Sequence, residues 1–359
     1  MSRKALGILI IVAGVLVVLA VIGQGRNGTG SIAGDSAGSL LLPVLTDTVN
    51  EIDQVSINGA GRQRLVSLER ENGAWVVAEA GGYPAARSEV NALLIALAEA
   101  RIVEEKTANP ESHALLGVES IVRADAAGLQ IALVSSAGDR FEVVLGDAYG
   151  VGQRYARVGL ADQSVLIDRS PDISREPGDW VVSDIISVAS DRVQRVDISH
   201  ADGERLEIRK ATRDSGNFSV ENLPAGRELQ YAGVANVTAD LLQSLQLDAV
   251  ERRQSEQTGP SVVSEFWMFD GLIVTVTVTG ENENAWLTFS ARFDVDQALT
   301  FASESNGDEI AGQSREDDAI FEAEAINLRL ADWQYRIPSY QLSQLTRRME
   351  DLLLPEADE

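Results

Sequence analysis

The same succession of short patterns occurs twice in this chain, and a repeat of that kind constrains the architecture before any single residue does. The first copy runs through QVSI (Gln54–Ile57), RLVSLER (Arg64–Arg70), GAWVV (Gly73–Val77) and LLIALAEARIV (Leu93–Val103). The second runs through RVDI (Arg195–Ile198), RLEIRK (Arg205–Lys210), GNFSV (Gly216–Val220) and LLQSLQLDAVE (Leu241–Glu251). Order and spacing match, with a longer loop before the second helical pattern. Alternating apolar positions, Val66 and Leu68 in one copy and Leu206 and Ile208 in the other, predict half-buried strands, because successive strand side chains point to opposite faces. Gly73 and Gly216 predict tight turns that set Trp75 and Phe218 on the inner face of a sheet. Val90, Leu93, Leu94 and Leu97 recur at i, i+3, i+4 and i+7, which predicts a helix with one apolar stripe and Ser88 as its N-cap. Val234, Val237, Leu241 and Leu245 predict its counterpart in the second copy.

More strands are expected after each helix. LQIALVSS (Leu129–Ser136), RFEVVLGD (Arg140–Asp147), QRYARVGL (Gln153–Leu160) and SVLID (Ser164–Asp168) read as a meander, answered in the second half by LIVTVTVTG (Leu272–Gly280) and AWLTFSARF (Ala285–Phe293). Each half is expected to close with a helix: DWVVSDIIS (Asp179–Ser187) in the first, and YQLSQLTRRMEDLLL (Tyr340–Leu354), striped by Leu342, Leu345, Met349 and Leu352, in the second. The fold class that follows is α+β: an N-terminal transmembrane helix, then two related antiparallel sheet-plus-helix lobes produced by internal duplication. The expected domains are residues 1–23 (cytoplasmic tip and anchor), 24–46 (tether), 47–189 (first lobe) and 190–355 (second lobe).

The anchor rests on ALGILIIVAGVLVVLAVIG, Ala5–Gly23, which carries no charge. A helix of that length spans roughly 28 Å, close to the hydrocarbon thickness of a bilayer. Arg3 and Lys4 precede it, which predicts an N-terminus in the cytoplasm and a body outside it, on a protein that crosses the membrane once. A cleaved signal peptide has a shorter apolar core and a small-residue cleavage site, and VIGQGRNG supplies none. Residues 23–39 are rich in Gly and Ser and read as a flexible tether. Within that tether GDSAG (Gly34–Gly38) matches the G-x-S-x-G of serine hydrolases. The motif works only on a strand-turn-helix, and no such context surrounds Ser36.

Composition removes further classes. The chain has 30 basic and 55 acidic residues, a formal net charge of −25, which disfavours a nucleic-acid partner. It has no cysteine, so thiolate catalysis, disulfides and cysteine metal sites are excluded. The acidic segment from Asp294 to Ala319 reads as a solvated loop and a local insertion, since its carboxylates lack the order of a calcium loop. GDAYGVGQR (Gly146–Arg154) reads as a hairpin turn, because a phosphate loop needs a following helix and a Lys-Ser/Thr pair. His113 and His200 stand alone and read as surface or turn histidines. Trp75, Trp180, Trp267, Trp286 and Trp333 read as core or interface anchors, with Trp333, Tyr335 and Tyr340 a candidate contact cluster. No catalytic, cofactor-binding or metal-binding residue is nominated, and the chain reads as a non-enzyme without a cofactor.

LLLPVLTDTVNEIDQVSI (Leu40–Ile57), GAWVV, LLIALAEARIVEEKT, LLGV (Leu115–Val118), EVVLGD and WQYRIPSYQLSQLTRRMEDLL (Trp333–Leu353) together resemble the DUF4340 family, a bacterial family of unknown function. The resemblance covers most of the chain after the tether. It implies a membrane-anchored, extracytoplasmic protein held in the inner membrane through residues 5–23. It further implies an accessory role beside an ABC-2 type permease or a gliding-type auxiliary subunit. It supplies no active-site residue. A periplasmic ligand-binding module, using the cleft between the two lobes, is the alternative expectation.

Overall fold

The computed structural model describes residues 37–254, 259–302 and 309–355. The chain divides into two compact units, one ending at Val181 and the other beginning at Val182. Both are built on a large antiparallel sheet with helices, an α+β architecture. The expected transmembrane segment, residues 5–23, lies outside the described residues, and so does most of GDSAG. No described helix is long and apolar enough to cross a membrane.

The first unit holds β1 (Ile52–Asn58), β2 (Arg64–Glu71), β3 (Ala74–Val77), β4 (Tyr83–Pro84), a helix at Arg87–Glu99, β5 (Ile102–Glu105), β6 (Leu129–Ser135), β7 (Arg140–Tyr149), β8 (Gln153–Val158) and β9 (Ser164–Ile167). Its sheet order is β4-β3-β2-β1-β6-β7-β8-β9-β5. The second unit opens with β10 (Asp184–Ile186) and continues with β11 (Val193–His200), β12 (Arg205–Arg209), β13 (Ser219–Val220), β14 (Leu245–Gln246), β15 (Ala249–Arg252), β16 (Ser261–Met268), β17 (Leu272–Thr279), β18 (Trp286–Phe293) and β19 (Trp333–Arg336). Its large sheet runs β13-β12-β11-β16-β17-β18-β19-β15, and β10 pairs with β14 in a separate ribbon. Apart from the edge strand β4, the two large sheets pass through the same strand order. The likeness extends to a local irregularity: register shifts between Ile52 and Gln54 on β1 and between Val193 and Arg195 on β11.

Alternation explains the ladders. In LIVTVTVT of β17, Val274, Val276 and Val278 are buried while the threonines between them face the other side. β-branched side chains fill a pleated face of this kind well. The Arg87–Glu99 helix buries Val90, Leu93, Leu94 and Leu97, as its spacing predicts. Trp75 and Phe218 are buried after their turns, and Gly73 supplies the left-handed φ of 85° that its turn requires.

Several expectations give way to tertiary pairing. Ser88 is not an N-cap: Ala86 holds that position and no side chain caps the helix. The tether is shorter than expected at its C-terminal end. Leu41, Leu42 and Leu45 are buried. Gly38 N–H donates to Ile102 O at 2.7 Å and Leu41 N–H to Ala100 O at 2.7 Å, while Ser39 O accepts from Ile102 N–H at 2.9 Å. Asp179–Ser187 is not a closing helix. Pro177–Trp180 forms a 3-10 turn and Asp184–Ile186 is strand β10, a conformation suited to the β-branched Val181, Val182, Ile185 and Ile186. The counterpart helix shrinks to Asn236–Ala239 with a 3-10 turn at Asp240–Gln243. Val237 is exposed and Leu245 is recruited into β14, so the anticipated stripe is not one face.

The last predicted helix breaks after Leu345, and a 3-10 turn resumes at Met349–Leu352. The break has a visible cause. Ser264 Oγ donates to Leu345 O at 2.6 Å, and the His200 ring donates to Arg347 O at 3.1 Å. Arg347 in turn donates to Val234 O at 2.9 Å. Carbonyls taken by neighbouring strands are lost to the helix ladder. Strand β16 is not among the strands expected from the sequence; it lies beside β11 as β6 lies beside β1. The acidic segment is not a loop: residues Val295–Ala302 and Glu309–Leu330 are helices.

Candidate functional site

Isolated motifs resolve into structural roles. His113 and His200 are buried, not on the surface; the ring of the first donates to Asp162 O at 2.8 Å and that of the second to Arg347 O. Gly150–Gly152 form the β7–β8 turn, with Gly150 and Gly152 at positive φ. Asp294 caps the helix that follows it, accepting from Gln297 N–H at 3.0 Å. No group of three or more His, Asp or Glu among the described residues is arranged to hold a metal ion. Trp75, Trp180, Trp333 and Tyr335 are buried, while Tyr340 is exposed, so the aromatic cluster is split between core and surface.

The LLGV segment of the first unit is a backbone clamp. Leu116 O sits 2.1 Å from where a Cβ on Gly146 would be, and Gly117 O the same distance from a Cβ on Gly128. Below it the buried Arg157 guanidinium donates to Val118 O at 2.7 Å and to Gly159 O at 2.9 Å. Burial pushes the pKa of Arg157 down, against the attraction of Asp162 and Glu119. The Arg157 hydrogen bonds and the close approaches at Gly146 and Gly128 hold the strap against the sheet.

A different cluster lies on the outward face of the second sheet, where cross-strand register assembles residues far apart in sequence. Asp197 on β11 is directly opposite Glu207 on β12 and Glu265 on β16. One step along, Arg195 is opposite Arg209 and Trp267. Three carboxylates thus form a row beside a row of two guanidinium groups and an indole. Ion pairs knit the rows: Arg195 to Asp197 at 3.2 Å, Arg209 to Glu207 at 2.7 Å and Arg292 of β18 to Glu265 at 3.5 Å. The Arg195 and Arg292 guanidinium carbons lie 4.1 and 5.0 Å from the Trp267 ring centroid, in cation–π range.

The electrostatics are unbalanced at the centre. Burial raises the Asp197 carboxyl from 3.8 to about 6; Glu207 and Glu265 add to that rise, and Arg195 and Arg209 oppose it. Its Oδ1 and the Trp267 Nε1 have no hydrogen-bond partner among the described residues. The first sheet provides an internal comparison. At the same register its β1, β2 and β6 carry Ser56, Ser67 and Ala132 where the second carries Asp197, Glu207 and Glu265. Gln54, Glu69 and Val134 stand where Arg195, Arg209 and Trp267 do. The same strand order is thus reached in the first sheet without these charges. A sheet face with alternating rows of both signs can recognise charged and hydrogen-bonding groups of a partner.

The alternation that predicts these strands rests on their inward members, such as Leu206 and Ile208, and carries nothing about the outward ones. Their only signal is charge at alternate positions, Arg195/Asp197 and Glu207/Arg209; the rows exist only once register is known. A family model, Domain of unknown function (DUF4340), matches residues 75–262, just over half the chain. No curated protein and no solved structure matches.

Proposed function

We propose that this chain, which belongs to the DUF4340 family, is an extracytoplasmic interaction protein that serves an ABC-2 type transporter as an accessory component. Residues 5–23 would hold it in the inner membrane as a single span, with the N-terminus in the cytoplasm and both units in the periplasm. The observation that carries an interaction role is the charged outward face of the second sheet. It is built from residues that the first sheet, with the same strand order, replaces by Ser, Ser and Ala. Charges of both signs at a surface set orientation and partner choice more than raw affinity. The uncharged run at residues 5–23 and the pair Arg3 and Lys4 support the anchor. The reading assigns no catalytic step.

Purification of the full chain from its native membranes in mild detergent tests the role. Recovery of a permease together with its ATPase is the expected result. Membranes in which the chain comes away with neither, under conditions that keep known transporters intact, would refute the accessory role. Recovery of the full chain in the soluble fraction would refute the anchor separately.

A further inference from the structure

Between β18 and β19 the second unit inserts two helices, Val295–Ala302 and Glu309–Leu330, where the first unit passes from β8 to β9 through residues 159–163 alone. The longer helix is fixed to its own unit along one side. Ala319, Ala323, Ile326 and Leu330 are buried. The Arg192 guanidinium donates to both carboxylate oxygens of Glu322, at 3.1 and 2.7 Å, and to Asp270 at 2.9 Å. The Asn327 amide donates to Ala291 O at 2.7 Å and accepts from Ala291 N–H at 2.8 Å, closing a stretch of β18 that β19 does not pair.

The opposite side of that helix is apolar and uncovered. Phe321 is 68% exposed and Leu328 90% exposed, with the exposed Ala325 between them. These three lie at i, i+4 and i+7 and so share one stripe. A single exposed apolar residue needs no account, but two large ones aligned on a helix whose other face is already packed are a docking pattern. Asp317, Asp318 and Glu324 flank the stripe, are exposed, and have no ion-pair partner among the described residues. Arg329 is the one cation on this outward side of residues 316–330. That rim decides the occupant. A second copy would bring two acidic rims together, and an anionic lipid surface would meet like charge.

We propose that the outward stripe of the Glu309–Leu330 helix is a docking face for a basic amphipathic helix of a partner protein. Phe321 and Leu328 are its apolar anchors, and Asp317, Asp318 and Glu324 pair with the partner's Lys or Arg. The face stands on the geometry of this helix and not on the transporter reading.

The chain has no cysteine, so Ala325→Cys gives one labelling position, at the centre of the stripe. The full chain in detergent micelles, carrying an environment-sensitive dye there, is titrated with a helical peptide of leucine and lysine. A saturable blue shift is expected, absent with a leucine–glutamate peptide. In the Phe321→Ser/Leu328→Ser background the affinity should fall about tenfold or more, with an unchanged thermal melt. Equal binding by that double variant would mean charge attraction alone and would overturn the proposal. So would a blue shift that grows with protein concentration, which marks self-association, or one produced by phosphatidylglycerol vesicles without peptide.

Discussion

Asp197 is packed between two carboxylates while one of its own oxygens lacks a hydrogen-bond partner among the described residues. Burial holds its folded pKa near 6 against an ordinary 3.8. A carboxyl with a raised folded pKa binds its proton more tightly in the native state. Its contribution to stability is therefore complete below about pH 3.8 and is lost as pH rises through about 6. Asp197→Asn removes that titration. The stability difference, variant minus wild type, should shift in the variant's favour by on the order of 1 kcal/mol between pH 4.5 and pH 7.5. Thermal or urea melts at the two pH values measure it, and a difference independent of pH would show that Asp197 is not strained. Steric limits are as residue-specific. Gly146→Ala drives a Cβ into Leu116 O and should cost about 3 kcal/mol. Gly216→Ala meets nothing within 4 Å and should leave the melt within about 0.5 kcal/mol of wild type.

At the scale of elements, what could be read in the sequence was whatever depended on one strand or one helix alone. The Arg87–Glu99 helix was legible because its stripe is complete and uninterrupted; there Leu97→Ala should cost about 3 kcal/mol in a urea melt, since Leu97 is fully buried. The β-strands were legible wherever alternation was clean, as in β17. Elements decided by a distant partner were not. The C-terminal helix has a good stripe on paper, yet Ser264 and His200 take its carbonyls and split it. The helix expected at residues 234–245 loses Leu245 to a strand because β10 needs a partner there. The acidic residues of 294–319 looked like a solvated loop because their charge hid a buried stripe whose first described members are Ala319 and Ala323. Asn327 shows the same limit from the other side. A lone amide in a helical sequence carries no signal, yet it caps a strand. Asn327→Ala leaves Ala291 N–H and O unpaired and should lower stability by about 2 kcal/mol. A melt indistinguishable from wild type would show that water replaces the amide.

At the scale of the whole molecule, two sheets with one strand order allow a direct test, because positions of equal register on β11, β12 and β16 have natural alternatives on β1, β2 and β6. Charged rows on a half-buried face are a poor investment in stability, since desolvation offsets much of the ion-pair attraction. If the array is kept for recognition, giving the second sheet the residues of the first should remove recognition and spare the fold. The exchange is Arg195→Gln, Asp197→Ser, Glu207→Ser, Arg209→Glu, Glu265→Ala and Trp267→Val, each residue taken from the position of equal register on β1, β2 or β6. Partial exchanges would mislead, because a guanidinium left without its carboxylate is worse off than either parent arrangement; Arg292, which loses Glu265 in the complete exchange, keeps Asp294 at 3.4 Å. The complete exchange should keep the melting temperature within a few degrees of wild type, or raise it, while recovery of the membrane partners falls sharply. A large drop in melting temperature with partners still recovered would assign the array to folding instead. The first sheet makes that outcome the less expected one, since it reaches the same topology with no charge in the carboxylate row.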